Sequence, residues 1–368
     1  MADTSSGHPV RHDIRSAVLT ERKAYLDALR GVAVVIMVVA HVTDAWTQEA
    51  DRHDGRYFNQ VFLNGLAAPM FLLLAGVAVA MAAESRSRRI GAAAAARSVQ
   101  MRGWQVFGLA FLFRLQSQLL GWGPLINLLK VDILNVMGPA MVAAAWLWRL
   151  GGSRTSRIVM YAVATAACTF LTPVLREAAW VNGLPDPIEW YIRPVPGRTT
   201  FTLFPWAGFL MAGALTGELL DAARTRADER RLHTFLAVGA MVGLGGGYAA
   251  SFLPAIYPDA QFWTSSPTFF FIRLGFVTAA IPAAWLVNLS WGPLVTMGRS
   301  SLFVYWIHVE MAYGGPAIFL KRRVPWEWSI AGAAALCVLL YLLVRWKNRV
   351  MERRTLTPPF TVLAPILR

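Results

Sequence analysis

Apolar residues recur along the chain in long runs separated by short polar or charged segments. A helix needs about 20 mostly apolar residues to cross the hydrocarbon core of a bilayer. Runs of this length predict about ten transmembrane helices, near residues 27–46, 61–83, 103–120, 131–149, 158–175, 201–221, 233–253, 268–289, 293–313 and 329–346. The pattern therefore predicts an all-α polytopic membrane protein built as a helical bundle.

The composition agrees with a membrane protein. Of the 368 residues, 56% are hydrophobic and 15% are charged, whereas soluble domains carry about 25% charged residues. The first apolar run is long enough to span the bilayer and has no small-residue cleavage site, so no cleavable signal peptide is predicted. Residues 1–24 are predicted to form a disordered cytoplasmic tail, residues 25–348 a single transmembrane domain, and residues 349–368 a second cytoplasmic tail.

Basic residues are distributed unevenly between the two sides of the predicted bundle. The net charge of +14 comes mainly from Lys and Arg in the two tails and in the loops on the same side as the tails. By the positive-inside rule, both termini are predicted to be cytoplasmic. The protein is therefore expected in the cytoplasmic membrane. Its expected partner is membrane lipid, and no nucleic acid is expected. The cluster Lys321–Arg323 on the opposite side departs from the rule. It is either an ordinary loop charge near lipid headgroups or a site for an external anion.

The first predicted span carries four ionisable residues, Asp27, Arg30, His41 and Asp44. Charged side chains are costly in a bilayer core and usually face a protein interior or a water-filled cavity. Arg30 and His41 share a helix face, because their separation corresponds to three turns and only about 20° more. Asp27 and Asp44 lie within about 60° of the same line. The four residues therefore form one stripe, with Arg30 at the cytoplasmic end and His41 towards the outer half.

This stripe has a catalytic and a structural interpretation. His41 is suited to proton transfer near neutral pH, and Asp44 is placed one turn later to orient its ring. Arg30 suits a fixed anion such as a phosphate, with Asp27 beside it. In the structural interpretation, Asp27 and Arg30 form an interfacial ion pair and His41 makes a hydrogen bond between helices.

A second polar face is predicted in the ninth span. Ser301, Tyr305 and His308 follow the i, i+4, i+7 spacing of one helix face. Gly298 on the same side allows another helix to approach closely. His308 is a candidate for catalysis or for a structural hydrogen bond, and Ser301 and Tyr305 are candidates for substrate contact.

Other polar residues of the predicted spans need partners or a cavity, because unpaired charge is costly in the membrane. Glu310 is expected to neutralise an arginine of another span, Arg273 or Arg114. Asp132 and Asn135, one turn apart in the fourth span, are expected to line a cavity.

The outer segment 176–200 combines Trp180, Trp190 and Tyr191 with Glu189. Its prolines predict a folded-back loop and no helix. Flat aromatic rings beside a carboxylate suit a sugar, and the alternative is an interfacial belt of Trp and Tyr. In the loop after the first span, His53 is a further candidate, with simple solvation as the alternative. No His or Cys spacing in the sequence is typical of a metal site.

Four stretches resemble the heparan-α-glucosaminide N-acetyltransferase-like family of transmembrane acyltransferases. They are LDALRGVAVVIMVVAHVTD, LAAPMFLLLAGVAVAM, TLFPWAGFLMAGALTG and MGRSSLFVYWIH, in order from about residue 24 to 310. The spacing of Arg30 and His41 is also similar to that of the acyltransferase-3 proteins, a related group.

The resemblance implies acyl transfer across the membrane. A cytoplasmic acyl-CoA, typically acetyl-CoA, would serve as co-substrate and no cofactor would be bound permanently. The acceptor would be a hydroxyl or amine of an extracytoplasmic sugar, glycolipid or cell-envelope precursor. Arg30 matches the family's arginine at the start of the first span. His41 matches the histidine of the acyltransferase-3 pattern. The glucosaminide enzymes have asparagine at that position and carry their active histidine in the following loop. The nearest counterpart of that loop histidine in this sequence is His53.

His41 is favoured over His53 as the base, and two other functions remain open at this point. A proton-coupled transporter or flippase would use the same stripe as a proton relay, although no pair of broken helices in two halves of the chain supports it. A non-catalytic membrane scaffold would tolerate substitution of Arg30 and His41.

Overall fold

The computed structural model describes residues 23–121 and 124–353. These residues form helices joined by turns and short 3-10 segments, so the protein is an all-α polytopic membrane protein. Most of the two predicted tails, 1–24 and 349–368, lies outside the described residues. The helices are α1 (Ala24–Trp46), α2 (Gly55–Asn64), α3 (Ala67–Ile90), α4 (Ala92–Gly121), α5 (Ile133–Leu150), α6 (Arg154–Glu177), α7 (Asp186–Ile192), α8 (Leu203–Ala222), α9 (Arg226–Ala250), α10 (Pro267–Leu286), α11 (Gly292–Arg299), α12 (Ser301–Tyr313) and α13 (Trp326–Arg353).

Eight segments in the described part of the chain are long and apolar enough to cross a membrane: α1, Gly55–Ile90, α5, α6, α8, α9, α10 and Trp326–Met351. Two of the ten predicted spans therefore do not qualify. α4 is long enough, but Arg114, Gln116 and Gln118 lower the hydropathy of its second half. The ninth predicted span is two short helices, because the chain leaves helical geometry at Ser300.

Ser300 is held at this break by the last long helix. Its hydroxyl accepts a hydrogen bond of 3.0 Å from Nζ of Lys347 in α13.

Glycines set the closest helix contacts. α3 makes its most extensive contact with α8, and a Cβ added at Gly76 or Gly213 would overlap a backbone carbonyl of the opposite helix. α1 and α11 meet in the same way at Gly31 and Gly298, where a Cβ at Gly298 would overlap the carbonyl of Asp27. Small residues allow such backbone contact in membrane bundles. The second contact fixes α11 against the start of the ionisable stripe.

Buried ion pairs join α3, α6 and α8 at the end of the bundle where α1 begins. The side chain of Glu218 is fully buried and lies 3.3 Å from Arg157 and 3.6 Å from Arg154. Arg157 also pairs with Glu84 of α3 at 3.2 Å, and Arg154 pairs with Asp221 at 2.8 Å. Pairing of this kind lets charged side chains occupy a position that would otherwise be prohibitively costly.

Asp132 and Asn135 cap a helix. Asp132 is the N-cap of α5 and its carboxylate accepts from the backbone N–H groups of Leu134 and Asn135, while the Asn135 side chain returns a bond to the Asp132 N–H. Arg114 lies 3.1 Å from the same carboxylate. Burial raises the pKa of Asp132, and the charge of Arg114 opposes that rise. Neither Asp132 nor Asn135 is among the residues that line the cavity described below. In the described part of the chain, Glu310 forms an ion pair with neither Arg273 nor Arg114, contrary to the expectation from the sequence.

Candidate active site

His41 of α1 and His308 of α12 form a hydrogen-bonded pair. Nδ1 of His41 lies 2.8 Å from Nε2 of His308, and the two rings are nearly parallel with centroids 4.9 Å apart. His308 is fully buried and His41 is partly exposed. The structure thus brings together two candidates that the sequence placed in separate polar faces.

The direction of the hydrogen bond between His41 and His308 follows from the second partner of His308, the carbonyl oxygen of Val304. Nδ1 of His308 lies 2.8 Å from the carbonyl oxygen of Val304, and a carbonyl can only accept, so this nitrogen carries a proton. In neutral His308, Nε2 then has the lone pair and accepts from Nδ1–H of His41. The lone pair of neutral His41 is therefore on Nε2. That nitrogen has no hydrogen-bond partner among the described residues.

The sequence predicted that Asp44 orients the His41 ring, but the structure does not place it in that role. Its carboxylate accepts a 2.8 Å hydrogen bond from the Tyr313 hydroxyl and lies 3.3 Å from Arg52. The Tyr313 ring meets the His41 ring edge-on, with centroids 5.5 Å apart. Asp44 therefore contacts the Tyr313 side chain that packs against His41, while the hydrogen-bond partner of Nδ1 of His41 is His308.

A cavity of about 300 Å³ lies between α1, α3, α4, α5, α11 and α12. Along α3 it extends from Phe71 to Arg86, about 22 Å at 1.5 Å per residue. Met37, one turn before His41, and Tyr305, three residues before His308, line it. The Tyr305 and His308 rings are 5.9 Å apart. The histidine pair therefore lies about one helical turn beyond the cavity wall.

Four arginines line the same cavity: Arg30, Arg86, Arg102 and Arg299. The sequence pointed only to Arg30, because the other three lie in basic segments that were interpreted as topology signals. Apolar residues form most of the remaining wall, among them Val79, Val99, Val106, Met137 and Met141. The site is a mostly apolar channel with a strongly positive end.

Asp27 organises the positive end. Its buried carboxylate lies 3.0 Å from Nε of Arg299 and 3.9 Å from Arg30. The close contact between Gly298 and α1 brings Arg299 to this position. The predicted pair of Asp27 and Arg30 is present, with Arg299 as an additional member.

Ser301 and Tyr305 both line the cavity, on the helix that carries His308. Their predicted common face is therefore present in α12, although α12 is only the second half of the predicted span. This places both residues where they can contact a molecule in the cavity.

The family model described as "Heparan-alpha-glucosaminide N-acetyltransferase, catalytic" matches residues 22–247, more than half of the chain. The chain belongs to this family. It is therefore a multi-pass membrane protein of the acetyltransferase type. No curated protein matches the chain.

The match to the N-acetyltransferase family covers only part of the site. Arg30, His41, Arg86 and Arg102 fall inside the matched residues, whereas α11 and α12 follow them. His308, the hydrogen-bond partner of His41, therefore comes from a part of the chain outside the match.

The aromatic segment 176–200 of this acetyltransferase-family protein contains a helix and a buried tryptophan that its sequence did not predict. Glu189, Trp190 and Tyr191 lie on α7, so the prediction of a loop without helix was wrong; its proline falls in the first turn, where proline is tolerated. Trp190 is buried against α5 and cannot present its face to a sugar. Burial raises the pKa of Tyr191, whose oxygen accepts from Asn135 at 3.4 Å. Trp180 is 57% exposed and Glu189 lies 3.4 Å from Arg193.

His53 is the last residue of a 3-10 turn, Glu49–His53, between α1 and α2. Its side chain is exposed. The structure gives it no contact with the histidine pair or with the cavity lining among the described residues.

Proposed function

We propose that the protein transfers an acyl group, in the simplest case acetyl, from cytoplasmic acyl-CoA to a hydroxyl or amine of an extracytoplasmic sugar, glycolipid or cell-envelope precursor. The observation that carries this proposal is the position of Nε2 of His41. It is an unshared basic nitrogen, oriented by His308 and placed about one turn from an arginine-lined channel. Membership of an acetyltransferase family supplies the reaction class.

The cavity has the chemistry that acyl-CoA requires. Phosphate groups suit the guanidinium groups of Arg86, Arg102 and Arg299, because arginine offers paired donors in a planar fork. The apolar walls suit the thin pantetheine arm, which would lead the thioester towards Tyr305. The basic-residue distribution predicts that the arginine end faces the cytoplasm, where acyl-CoA is available.

His41 would act as a general base. Nε2 takes the proton of the acceptor hydroxyl or amine while the oxygen or nitrogen attacks the thioester carbon. The tetrahedral intermediate then expels the CoA thiolate, which takes the proton from the His41 imidazolium. One carbon–sulfur bond breaks, one bond to the acceptor forms, and the products are the acylated acceptor and CoA thiol.

His308 would stabilise the charged form of His41. When Nε2 is protonated, Nδ1–H still donates to Nε2 of His308, so the positive imidazolium keeps an acceptor. The carbonyl of Val304 holds His308 in the tautomer that makes this possible. A transporter would also use buried ionisable groups, but the fixed direction of these bonds favours a stationary base.

The test compares wild-type protein with His41→Ala. Cell-envelope glycans from cells that express each form are analysed by mass spectrometry for acyl groups, and acetyl-CoA binding to the purified proteins is measured by calorimetry. We expect His41→Ala to bind acetyl-CoA normally and to add no acyl groups. His53→Ala, in the exposed loop, is the matched control and should behave as wild type. Normal glycan acylation by His41→Ala would contradict the assignment of the base.

A further inference from the structure

A short loop between α12 and α13 consists of three apolar residues followed by three basic residues. The proposed reaction assigns no role to this loop. Ile318, Phe319 and Leu320 are followed directly by Lys321, Arg322 and Arg323. All six side chains are exposed, with Phe319 at 80% and Ile318 at 61%. We call residues 318–323 the anchoring loop.

The anchoring loop is fixed to the end of α1. The backbone N–H of Arg322 donates to Ala45 at 3.0 Å, and the N–H of Arg323 donates to Trp46 at 3.1 Å. Arg322 has a φ of 57°, which is uncommon for a residue with a side chain. Its side chain is held by Glu49 at 2.9 Å. The loop is therefore a shaped element of the fold, attached one turn beyond His41.

Two cations of the loop are available to an external anion. The neighbouring arginines Arg52, Arg56 and Arg322 each pair with a carboxylate. Lys321 and Arg323 form no ion pair among the described residues. Both side chains are exposed, so the loop presents uncompensated positive charge.

An exposed tryptophan close to the anchoring loop indicates that the loop lies at the level of the membrane interface. Trp328, at the start of α13 and five residues after Arg323, is 70% exposed. Exposed Trp at the end of a spanning helix is typical of the headgroup region, where its ring is partly apolar and partly polar. Apolar side chains at this depth enter the acyl boundary while basic ones meet lipid phosphates.

We propose that the anchoring loop docks on the anionic phospholipid headgroups of the leaflet at the end of the bundle where α1 terminates. Ile318, Phe319 and Leu320 insert at the acyl boundary, and Lys321 and Arg323 bind headgroup phosphates. This explains why a basic triplet occurs on the side of the bundle that carries few other unpaired cations. It requires no assumption about the reaction at His41.

The experiment measures the depth of residue 319. A nitroxide is attached to Phe319→Cys in a background of Cys168→Ala and Cys337→Ala, and the protein is placed in nanodiscs of phosphatidylglycerol or of phosphatidylcholine. Collision with oxygen and with a water-soluble nickel complex reports whether the label lies in lipid or in water. We expect an inserted label in phosphatidylglycerol and a shallower one in phosphatidylcholine.

Removing the two unpaired charges tests the headgroup contact. Lys321→Gln with Arg323→Gln should lower the ratio of inserted to exposed label in phosphatidylglycerol about 25-fold, since each basic residue near an anionic surface contributes about fivefold. Arg230→Gln with Arg231→Gln, an exposed pair on α9 at the other end of the bundle, is the matched control and should leave the label unchanged.

Three results would overturn the proposal. The label could be accessible to water in both lipids, or its depth could be the same for both headgroups and unaffected by Lys321→Gln with Arg323→Gln. A soluble sulfated oligosaccharide could also shield the label in phosphatidylcholine nanodiscs more than phosphatidylglycerol does, which would assign the cations to a glycan.

Discussion

His308 accepts a 2.8 Å hydrogen bond from His41 across the contact between α12 and α1. The Val304 carbonyl fixes the proton of His308 on the opposite ring nitrogen. In the proposed mechanism His41 is therefore the reactive residue and His308 its positioning residue, because only His41 has a ring nitrogen without a hydrogen-bond partner among the described residues.

Substitution of His308 is expected to reduce turnover without weakening acyl-CoA binding. His308→Leu removes the acceptor for Nδ1–H of His41, so kcat should fall by about 100-fold while KM for acetyl-CoA stays unchanged. His308→Gln offers a side-chain oxygen and should recover much of the loss. Equal loss in both variants, with a lower thermal midpoint, would indicate that His308 only fills space. Steady-state kinetics on the purified protein make the comparison.

The arginines at one end of the cavity are expected to determine the affinity for acetyl-CoA. Arg86→Gln should raise KM or Kd for acetyl-CoA by about tenfold, since a hydrogen bond to a charged group contributes at least about 1.5 kcal/mol. The rise should shrink at high salt. Arg89→Gln, three residues later and outside the cavity lining, is the control. If both variants change the affinity equally, the arginines act only through the general surface charge.

The glycine contact between α1 and α11 is expected to be intolerant of a methyl group. Gly298→Ala would force the new Cβ against the carbonyl of Asp27 and should destabilise the fold by about 1–3 kcal/mol. A Cβ at Gly292, at the other end of α11, meets no atom within 4 Å, so Gly292→Ala should have little effect. Thermal denaturation in detergent measures both, and an unchanged midpoint for Gly298→Ala would contradict the close contact.

The buried carboxylate of Glu218 is expected to contribute strongly to stability. Glu218→Gln would remove the buried carboxylate that Arg154 and Arg157 share and leave them with Asp221 and Glu84, at a cost of about 3 kcal/mol. Glu177→Gln, at the exposed carboxyl end of α6, is the control. Unfolding by a graded denaturant should separate the two variants, and identical curves would show that the remaining carboxylates compensate fully.

Local patterns in the sequence predicted the helices and the residues on each helix face. Long apolar runs defined most spans, and the spacing of Arg30 and His41 correctly put them on one face of α1. Ser301 and Tyr305 were predicted to share a face with His308, and both line the cavity. Periodicity gives such information because it depends only on residues within a few turns.

Contacts between distant segments were not predictable in this way. No local signal shows that His308 takes the place expected for Asp44, or that Arg299 joins Asp27. Ser300, at the break between α11 and α12, contacts Lys347, which lies far along the chain. Trp190 looked like a ligand platform, because a buried tryptophan and an exposed one have the same letter in a sequence.

The separation of 267 residues between His41 and His308 has a consequence for biosynthesis. At about 5–20 residues per second, roughly 15–50 s pass between synthesis of the two histidines. During that time α1 has its basic nitrogen but no partner to orient it. If the proposed mechanism holds, the chain is inactive while it is being made, and activity begins only after α12 has entered the bundle.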